Sequence, residues 1–384
     1  MTGTVVLTLG RLPKALDLAR SFAGAGWRVV VAEPFARTLV GASRMVAARH
    51  RLPAPAHDHA GYIAALARIA EAEGARLILP VSEETVHVAH LAGPVPVFTM
   101  PAATVLRMHS KLGFIEAAQA IGLAVPESHP SGSAAARALA ARSDVVIKPL
   151  HSCSGRGLRV LRAGDAPPEE PGFVVQRRIA GQVISSCTLA HGGRIASPSL
   201  YRGALFSGSV AIAFERIEHA ATEEWIERFV AATGWTGFIS FDFILDERGR
   251  PWGIECNPRT TSGLHFWRTE DIAPAILEPG QPLRHRPERL MQQAYAVLTE
   301  AWSALLHRKG TLRRSLSMLA RARDVSWSRS DPMPFLTMTW TSWPIIREAL
   351  RRGMTLGEVA TLDVGWQAGV AAAAPAVDAA ALSA

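Results

Sequence analysis

The sequence has few cysteines and no long apolar run. Its three cysteines, among 384 residues, have neither the paired spacing of a disulfide framework nor the spacing of a zinc site. No stretch reaches the roughly 18 apolar residues that a membrane-spanning helix needs. The apolar run at residues 4–9 is too short for the centre of a signal peptide. We therefore expect a soluble, cytoplasmic protein with no membrane partner.

The sequence also lacks a dinucleotide fingerprint and a concentrated block of positive charge. A strand predicted at residues 4–9 is followed by Gly-Arg-Leu-Pro at residues 10–13, instead of the glycine pattern that approaches a pyrophosphate. The formal net charge is +8, but arginine is spread along the chain, and a basic balance also suits small phosphate-rich ligands. A nicotinamide-dependent oxidoreductase is therefore disfavoured, and no nucleic-acid partner is expected.

What is present is the composition of a globular protein, with 48% hydrophobic and 19% charged residues. The hydrophobic pattern predicts an alternation of strands and helices that is typical of an open α/β sheet. Because ligands gather at the carboxyl ends of such strands, Glu83 is a candidate substrate residue; a simple helix start is the alternative. The predicted elements are strands at residues 4–9, 28–32, 77–81 and 95–98, and helices at residues 13–25 and 62–74.

The most informative stretch is a predicted β-hairpin whose turn lies between Asp246 and Pro251. If these two residues pair, Asp242 lies directly opposite Glu255, and like charges in that position are destabilising unless a cation lies near them. Asn257 projects from the same face. Two carboxylates and an amide are an oxygen set of the kind that holds magnesium together with substrate phosphates. A solvated hairpin face is the alternative.

Two further segments offer positive charge. A predicted strand ends in Lys148 and is followed by the small-residue loop His-Ser-Cys-Ser-Gly-Arg-Gly at residues 151–157. Backbone N–H groups in such a loop can approach phosphates, while the lysine supplies a point charge; a plain hairpin loop is the alternative. Lys111 begins a predicted helix and, taken alone, is typical of a solvated helix residue.

Taken together, these segments resemble the ATP-grasp superfamily, in particular its carbon–nitrogen ligases with an N-terminal pre-ATP-grasp domain. The resemblance rests on Lys148, the glycine loop and Glu-Cys-Asn-Pro-Arg at residues 255–259, which occur in the family's order. It implies an α/β and α+β fold, with an N-terminal open parallel α/β domain followed by a two-lobed ATP-grasp domain. The implied divisions are residues 1–105 for the N-terminal domain, 106–180 for the nucleotide lobe, 181–285 for the metal-binding lobe, and 286–384 for a C-terminal subdomain with a loose alanine-rich tail.

The resemblance also implies roles for individual residues. Arg259 and Lys148 would be catalytic, and the hairpin oxygen set would hold Mg2+, with Mn2+ as an alternative. Arg177 and Gln182 stand where the family frequently has acids. The implied sets are Lys111, Lys148, Ser154, Gly155, Gly157, Gln176, Ile179 and Gln182 for ATP; Asp242, Glu255 and Asn257 for the metal; and Glu83, Ser262 and His265 for the acceptor substrate.

The implied activity is ATP-dependent carbon–nitrogen ligation with release of ADP. A carboxylate or enol oxygen of a small metabolite would take the γ-phosphate, and an amine or amino acid would then displace phosphate. An ATP-grasp kinase and a non-catalytic nucleotide-binding module remain alternatives. For the oligomeric state, a homodimer and a monomer both remain open. The Arg- and Trp-rich C-terminal region, with helices predicted at residues 291–306 and 345–352, is expected to pack as a subdomain rather than lie on a membrane.

Overall fold

A computed structural model describes residues 3–151, 157–208, 210–306, 310–354 and 356–366. Two predicted ATP-binding residues, Ser154 and Gly155, and the alanine-rich tail lie outside these ranges. The described residues form three β-sheets that follow one another along the chain. None of the helices in these ranges combines the length and the apolar character needed to cross a membrane.

The first sheet belongs to an open α/β unit. Its elements are β1 (Thr4–Leu7), α1 (Pro13–Gly24), β2 (Arg28–Glu33), β3 (Val46–Arg51), α2 (His59–Ala72), β4 (Leu77–Leu79) and α3 (Thr85–Val88). The strand order is β3-β2-β1-β4 and every pairing is parallel, which confirms the predicted parallel domain. The prediction of a strand at residues 95–98 is wrong, because only an isolated bridge joins Val97 to Ile78. The edge strand β3 was not predicted, since its polar residues are largely exposed.

The second sheet is small and antiparallel. Its segment contains α4 (Ala102–His109), α5 (Lys111–Ala120), β5 (Ser128–Pro130), α6 (Ala134–Arg142), β6 (Val145–Pro149), β7 (Arg159–Leu161) and β8 (Phe173–Arg177). The order is β5-β8-β6-β7. Helix α6 covers one face through Leu139, which packs with Val145, Ile147 and Val175. The strand that ends near Lys148 is therefore a central strand and is held from both sides.

The third sheet is the largest. This part of the chain contains β9 (Gln182–His191), β10 (Arg194–Ile195), β11 (Ser199–Ser207), β12 (Val210–Ile217), α7 (Ala220–Thr233), β13 (Gly237–Leu245), β14 (Pro251–Asn257), α8 (Thr269–Leu277), β15 (Leu290–Gln292), α9 (Ala294–Leu306), α10 (Leu312–Arg321) and β16 (Arg323–Asp324). The order is β14-β13-β9-β11-β12-β15-β16, with β10 paired to β9. The helix predicted from residue 291 is wrong at its start, because buried Met291 pairs with Phe214 as a strand.

The hairpin register agrees with the prediction at the acids but not at the turn. Asp242 is opposite Glu255, as predicted, whereas Leu245, and not Asp246, is opposite Pro251. A β-bulge between these two pairs shifts the register by one residue and restores the predicted pairing. Asp246 leaves the ladder because its side chain accepts hydrogen bonds from the backbone N–H groups of residues 248 and 250, both at 2.9 Å.

The C-terminal segment packs against the N-terminal unit. It contains α11 (Met333–Leu336), α12 (Met338–Arg352) and α13 (Leu356–Val359). Ile345 and Ala349 form a small apolar core with Val359, and Leu12 of the N-terminal unit packs against it. Arg11, which is buried and paired with Glu33, also forms an ion pair with Asp363. The described part of this segment therefore packs against the N-terminal unit, and Glu33 takes part in holding it through Arg11.

Candidate active site

The two hairpin acids face away from an aromatic core. Phe241 and Phe243 alternate with Asp242 along β13, and both rings pack edge-on against Trp225, with centroids 5.3 and 5.1 Å apart. Because side chains of a strand alternate between its two faces, these aromatic contacts direct Asp242 to the opposite face. Glu255 is its cross-strand partner. The predicted pair of opposed carboxylates is therefore formed.

Asp242 is oriented by two polar neighbours. One carboxylate oxygen accepts a 2.5 Å hydrogen bond from the Ser185 hydroxyl, and the other accepts a 3.1 Å bond from the Asn257 amide. Burial and the facing charge of Glu255 raise the pKa of Asp242. The three predicted metal residues therefore lie together, in surroundings that a divalent cation would stabilise.

Two lysines approach these acids from the second sheet and its helices. Lys111, only 3% exposed at its side chain, lies with its Nζ 3.5 Å from Glu255 Oε1. Lys148 donates a 2.9 Å hydrogen bond from its Nζ to Gln176 Oε1. Burial lowers the pKa of Lys148, whereas the charges of Glu255 and Asp242 oppose this shift. These two side chains therefore place positive charge near the opposed acids.

Arg259 connects the hairpin to the N-terminal unit. Its guanidinium donates a 2.9 Å hydrogen bond to Asn257 Oδ1 and forms an ion pair with Glu83. Burial alone would raise the pKa of Glu83, but Arg259 and His109 outweigh it and lower that pKa to about 2. Glu83, the predicted substrate residue, is thus buried and charged. Its partner is Arg259, which was predicted to be catalytic.

Lys14 was not predicted as a site residue. It lies at the start of α1 and donates a 2.6 Å hydrogen bond from its Nζ to the Thr260 carbonyl. Burial and the nearby charge of Arg259 lower the pKa of Lys14 to about 7, against the opposing effect of Glu84 and Glu83. Two signals could have identified it. First, it follows the carboxyl end of a parallel strand. Second, the sequence has only four lysines among its 41 lysine and arginine residues, and three of these four lysines lie at this site.

The loop after the hairpin contributes the remaining predicted substrate residues, Ser262 and His265. His265 Nδ1 lies 2.6 Å from an oxygen of Asp17, which Arg286 contacts at 3.3 Å on its other oxygen. A carboxylate can only accept a hydrogen bond, so Nδ1 carries a proton and Nε2 is the nitrogen left for another partner. Asp17 thereby fixes the orientation of the His265 ring.

A cavity of about 850 Å³ opens beside the hairpin. Of the predicted ATP-binding residues that the structure describes, none lines it. Gln176 lies in β8 with its amide bonded to Lys148 and Ser128, and Gln182 begins β9 opposite Leu245. Gly157 adopts a φ of 73°, which favours glycine. The polar residues that line it include Lys14, Glu83, Asp242, Asn257, Arg259, Ser262 and His265.

The donor set fits magnesium better than a softer metal. Two carboxylates and an amide oxygen are hard ligands, and substrate phosphates commonly complete such a site. The Asn257 oxygen already accepts a hydrogen bond from Arg259, so this amide would have to share or exchange that partner. Over the ranges that the structure describes, no group of three or more His, Cys, Asp or Glu side chains is arranged to hold a metal.

This combination, two lysines beside opposed carboxylates at the meeting of two sheets, suits metal-assisted binding of a nucleoside triphosphate. Residues 108–263 match the family model of the ATP-grasp domain. Residues 108–263 therefore carry an ATP-grasp domain, as the sequence pattern indicated. A comparison with curated protein sequences gives no match.

Solved structures share this fold at low sequence identity. N5-carboxyaminoimidazole synthetase from Staphylococcus aureus, complexed with ADP, is 12% identical with a TM-score of 0.62 over 79% of this chain and 86% of that one. L-amino acid ligase from Bacillus licheniformis is 15% identical with a TM-score of 0.57 over 73% and 75%. Rhizobium etli pyruvate carboxylase is 17% identical with a TM-score of 0.55 over 68% of this chain, which spans only 26% of the carboxylase.

Proposed function

We propose that this chain is an ATP-dependent, ADP-forming ligase. It phosphorylates a carboxylate or enol oxygen of a small metabolite and joins that metabolite to an amine or amino acid. One observation carries the proposal: Arg259 contacts Asn257 of the metal set and Glu83 of the cavity at the same time. The end of the hairpin is therefore the place where a terminal phosphate and an acceptor would meet.

ATP would lie on the side of the hairpin that faces the second sheet. Lys111 and Lys148 would bind its phosphate oxygens, and Gln176 holds the Lys148 ammonium in place. Asp242 and Glu255, with Asn257, would hold Mg2+. When bound, Mg2+ neutralises negative charge on the phosphates and so favours phosphoryl transfer.

The acceptor would lie in the cavity, with its reacting carboxylate near Lys14 and Arg259. A carboxylate oxygen attacks the γ-phosphorus, and the bond from that phosphorus to the oxygen of ADP breaks. The amine nitrogen then attacks the carbonyl carbon, the carbon–nitrogen bond forms, and phosphate leaves with its oxygen. Arg259 stabilises the charge that develops during phosphoryl transfer. His265, oriented by Asp17, accepts the proton that the amine loses.

Hydroxylamine trapping tests this proposal. An acyl phosphate formed from MgATP and a pool of small acids reacts with hydroxylamine to give a hydroxamate, which iron(III) detects as a colour. We expect hydroxamate only when ATP, acid and protein are all present. ADP formation with a stable phosphorylated product and no hydroxamate would favour a kinase, and bound ATP without turnover would favour a binding module.

Lys148→Ala is expected to weaken MgATP binding by more than about fivefold. An exposed ion pair contributes at most about 1 kcal/mol, whereas Lys148 is buried and held by Gln176. Calorimetric titration with MgATP measures the change. Arg137→Ala, which removes an exposed cation of the same lobe, is the matched control and should bind as the native protein does. If both variants changed the affinity for MgATP equally little, Lys148 would have a structural role and would not bind ATP.

Binding of the acid is expected to weaken as the pH rises through about 7, the lowered pKa of Lys14. The ammonium is charged below this pH and can pair with a carboxylate, and it is neutral above this pH. The KM for any acid that supports hydroxamate formation measures the effect. In Lys14→Arg the cation persists, so the rise of KM near neutrality should disappear; an unchanged pH profile in this variant would contradict the role of Lys14.

A further inference from the structure

The cavity has an apolar section beyond its polar end. Helix α12 contributes Ile345, Ile346, Ala349 and Leu350 to its lining, and Met354 extends this surface past the helix. The strand β12 contributes further apolar side chains, Val210 and Ile212. The side formed by α9 is polar, with Thr299, Glu300 and Ser303. A ligand can therefore place a polar group near the hairpin and an apolar body against α12.

Most of the cavity is available to the acceptor. The described residues proposed to bind ATP do not line it, and the phosphate end of ATP would meet it only at Asp242, Asn257 and Arg259. The cavity volume of about 850 Å³ lies in the upper part of the range of pockets that bind drug-sized ligands, about 300 to 1,000 Å³. A short acid would leave most of it filled with water against an apolar wall.

The apolar section also reaches solvent. Leu350 lines the cavity and is 76% exposed, whereas Ile345 and Ala349 on the same helix are buried. The apolar surface of α12 therefore extends from the packed interior of the C-terminal segment to the opening of the cavity. A long ligand could extend through this opening into solvent.

We propose that the acceptor is a carboxylic acid with an extended apolar body, which α12 selects. The placement of its carboxylate near Lys14 and Arg259 rests on the proposed ligase function. Its apolar body lies against Ile346 and the neighbouring side chains of α12. Each methylene that moves from water into such a section contributes about fourfold to affinity.

Binding of a homologous series of acids tests this inference without requiring turnover. Calorimetric titrations use butanoate, hexanoate, octanoate and decanoate, each with and without MgATP. We expect the Kd to fall about fourfold for each added methylene, until the apolar section is filled. Ile346→Asp places a charge on the wall and should weaken decanoate binding at least tenfold while changing butanoate binding less than twofold.

Trp343→Asp is the matched control. Trp343 is on the same helix, is 48% exposed and does not line the cavity, so this variant should bind all four acids as the native protein does. A second variant, Ile346→Trp, narrows the section without adding charge and should also lose affinity for decanoate.

The outcomes separate this inference from the ligase proposal. Equal affinity for the four acids, no binding of any of them, or equal effects of Ile346→Asp and Trp343→Asp would overturn the inference, even if short acids supported hydroxamate formation. A clear dependence on chain length with no ATP consumption would support the inference and contradict the ligase proposal.

Discussion

Glu255→Gln is expected to lower magnesium-dependent turnover about a hundredfold or more while leaving the protein folded. The amide has nearly the same size as the carboxylate but removes one of the two opposed charges of the hairpin. The remaining acid, Asp242, would face Lys111 and Lys148 with too little negative charge to hold a divalent cation. Charged groups placed at a reacting centre commonly contribute this much to a rate.

The control for this variant lies in the same hairpin. Glu247→Gln makes the same chemical change at an exposed position of the turn and should keep the native rate. Rates of ADP release across a range of magnesium concentrations, together with thermal unfolding of both variants, measure the difference. A native rate for Glu255→Gln at the same magnesium concentration would show that the opposed acids are not the metal site.

Arg259→Lys is expected to lower kcat on the order of a hundredfold with little change in the Kd for MgATP. The guanidinium contacts Glu83 and the Asn257 oxygen together, and a lysine offers one compact ammonium that cannot reproduce this forked geometry. The loss should therefore appear in the phosphoryl-transfer step, where charge develops, rather than in nucleotide binding.

Arg202→Lys is the matched control for this substitution. Arg202 pairs with Glu215 on a partly exposed face, so the same exchange there should leave both constants unchanged. Single-turnover rates separate chemistry from product release. A kcat for Arg259→Lys within threefold of native would remove Arg259 from the catalytic set.

The site was predictable where local pattern determines it. Alternating aromatic and polar residues in β13 placed Asp242 on the face opposite Phe241 and Phe243, and the structure shows that alternation. The opposed pairing with Glu255 was predicted from a turn register that proved wrong by one residue. The bulge between Asp242 and Phe243 restores the predicted pairing. Neither this bulge nor the use of the Asp246 side chain in the turn could be predicted from spacing.

The rest of the site depends on contacts between residues far apart in the chain. Lys14 meets the Thr260 carbonyl, and Glu83 meets Arg259, but no local pattern encodes either pair. The apolar section of the cavity was not predictable either. The apolar residues of α12 indicate only a packed helix, and the sequence does not show that Val210 and Ile212 line the same cavity. The scarcity of lysine was a usable signal, since a compact ammonium suits sites where a shifted pKa is needed.

A phosphorus NMR time course with ATP, magnesium, a carboxylic acid and pooled amino acids tests the proposed phosphoryl transfer most directly. The proposed mechanism predicts that ATP is converted to ADP and inorganic phosphate, and that release of phosphate requires the amine whereas binding of ATP does not. The lysines and the hairpin acids would then act at the terminal phosphate. Formation of AMP and pyrophosphate would contradict this mechanism, because it would place the attack at the α-phosphorus.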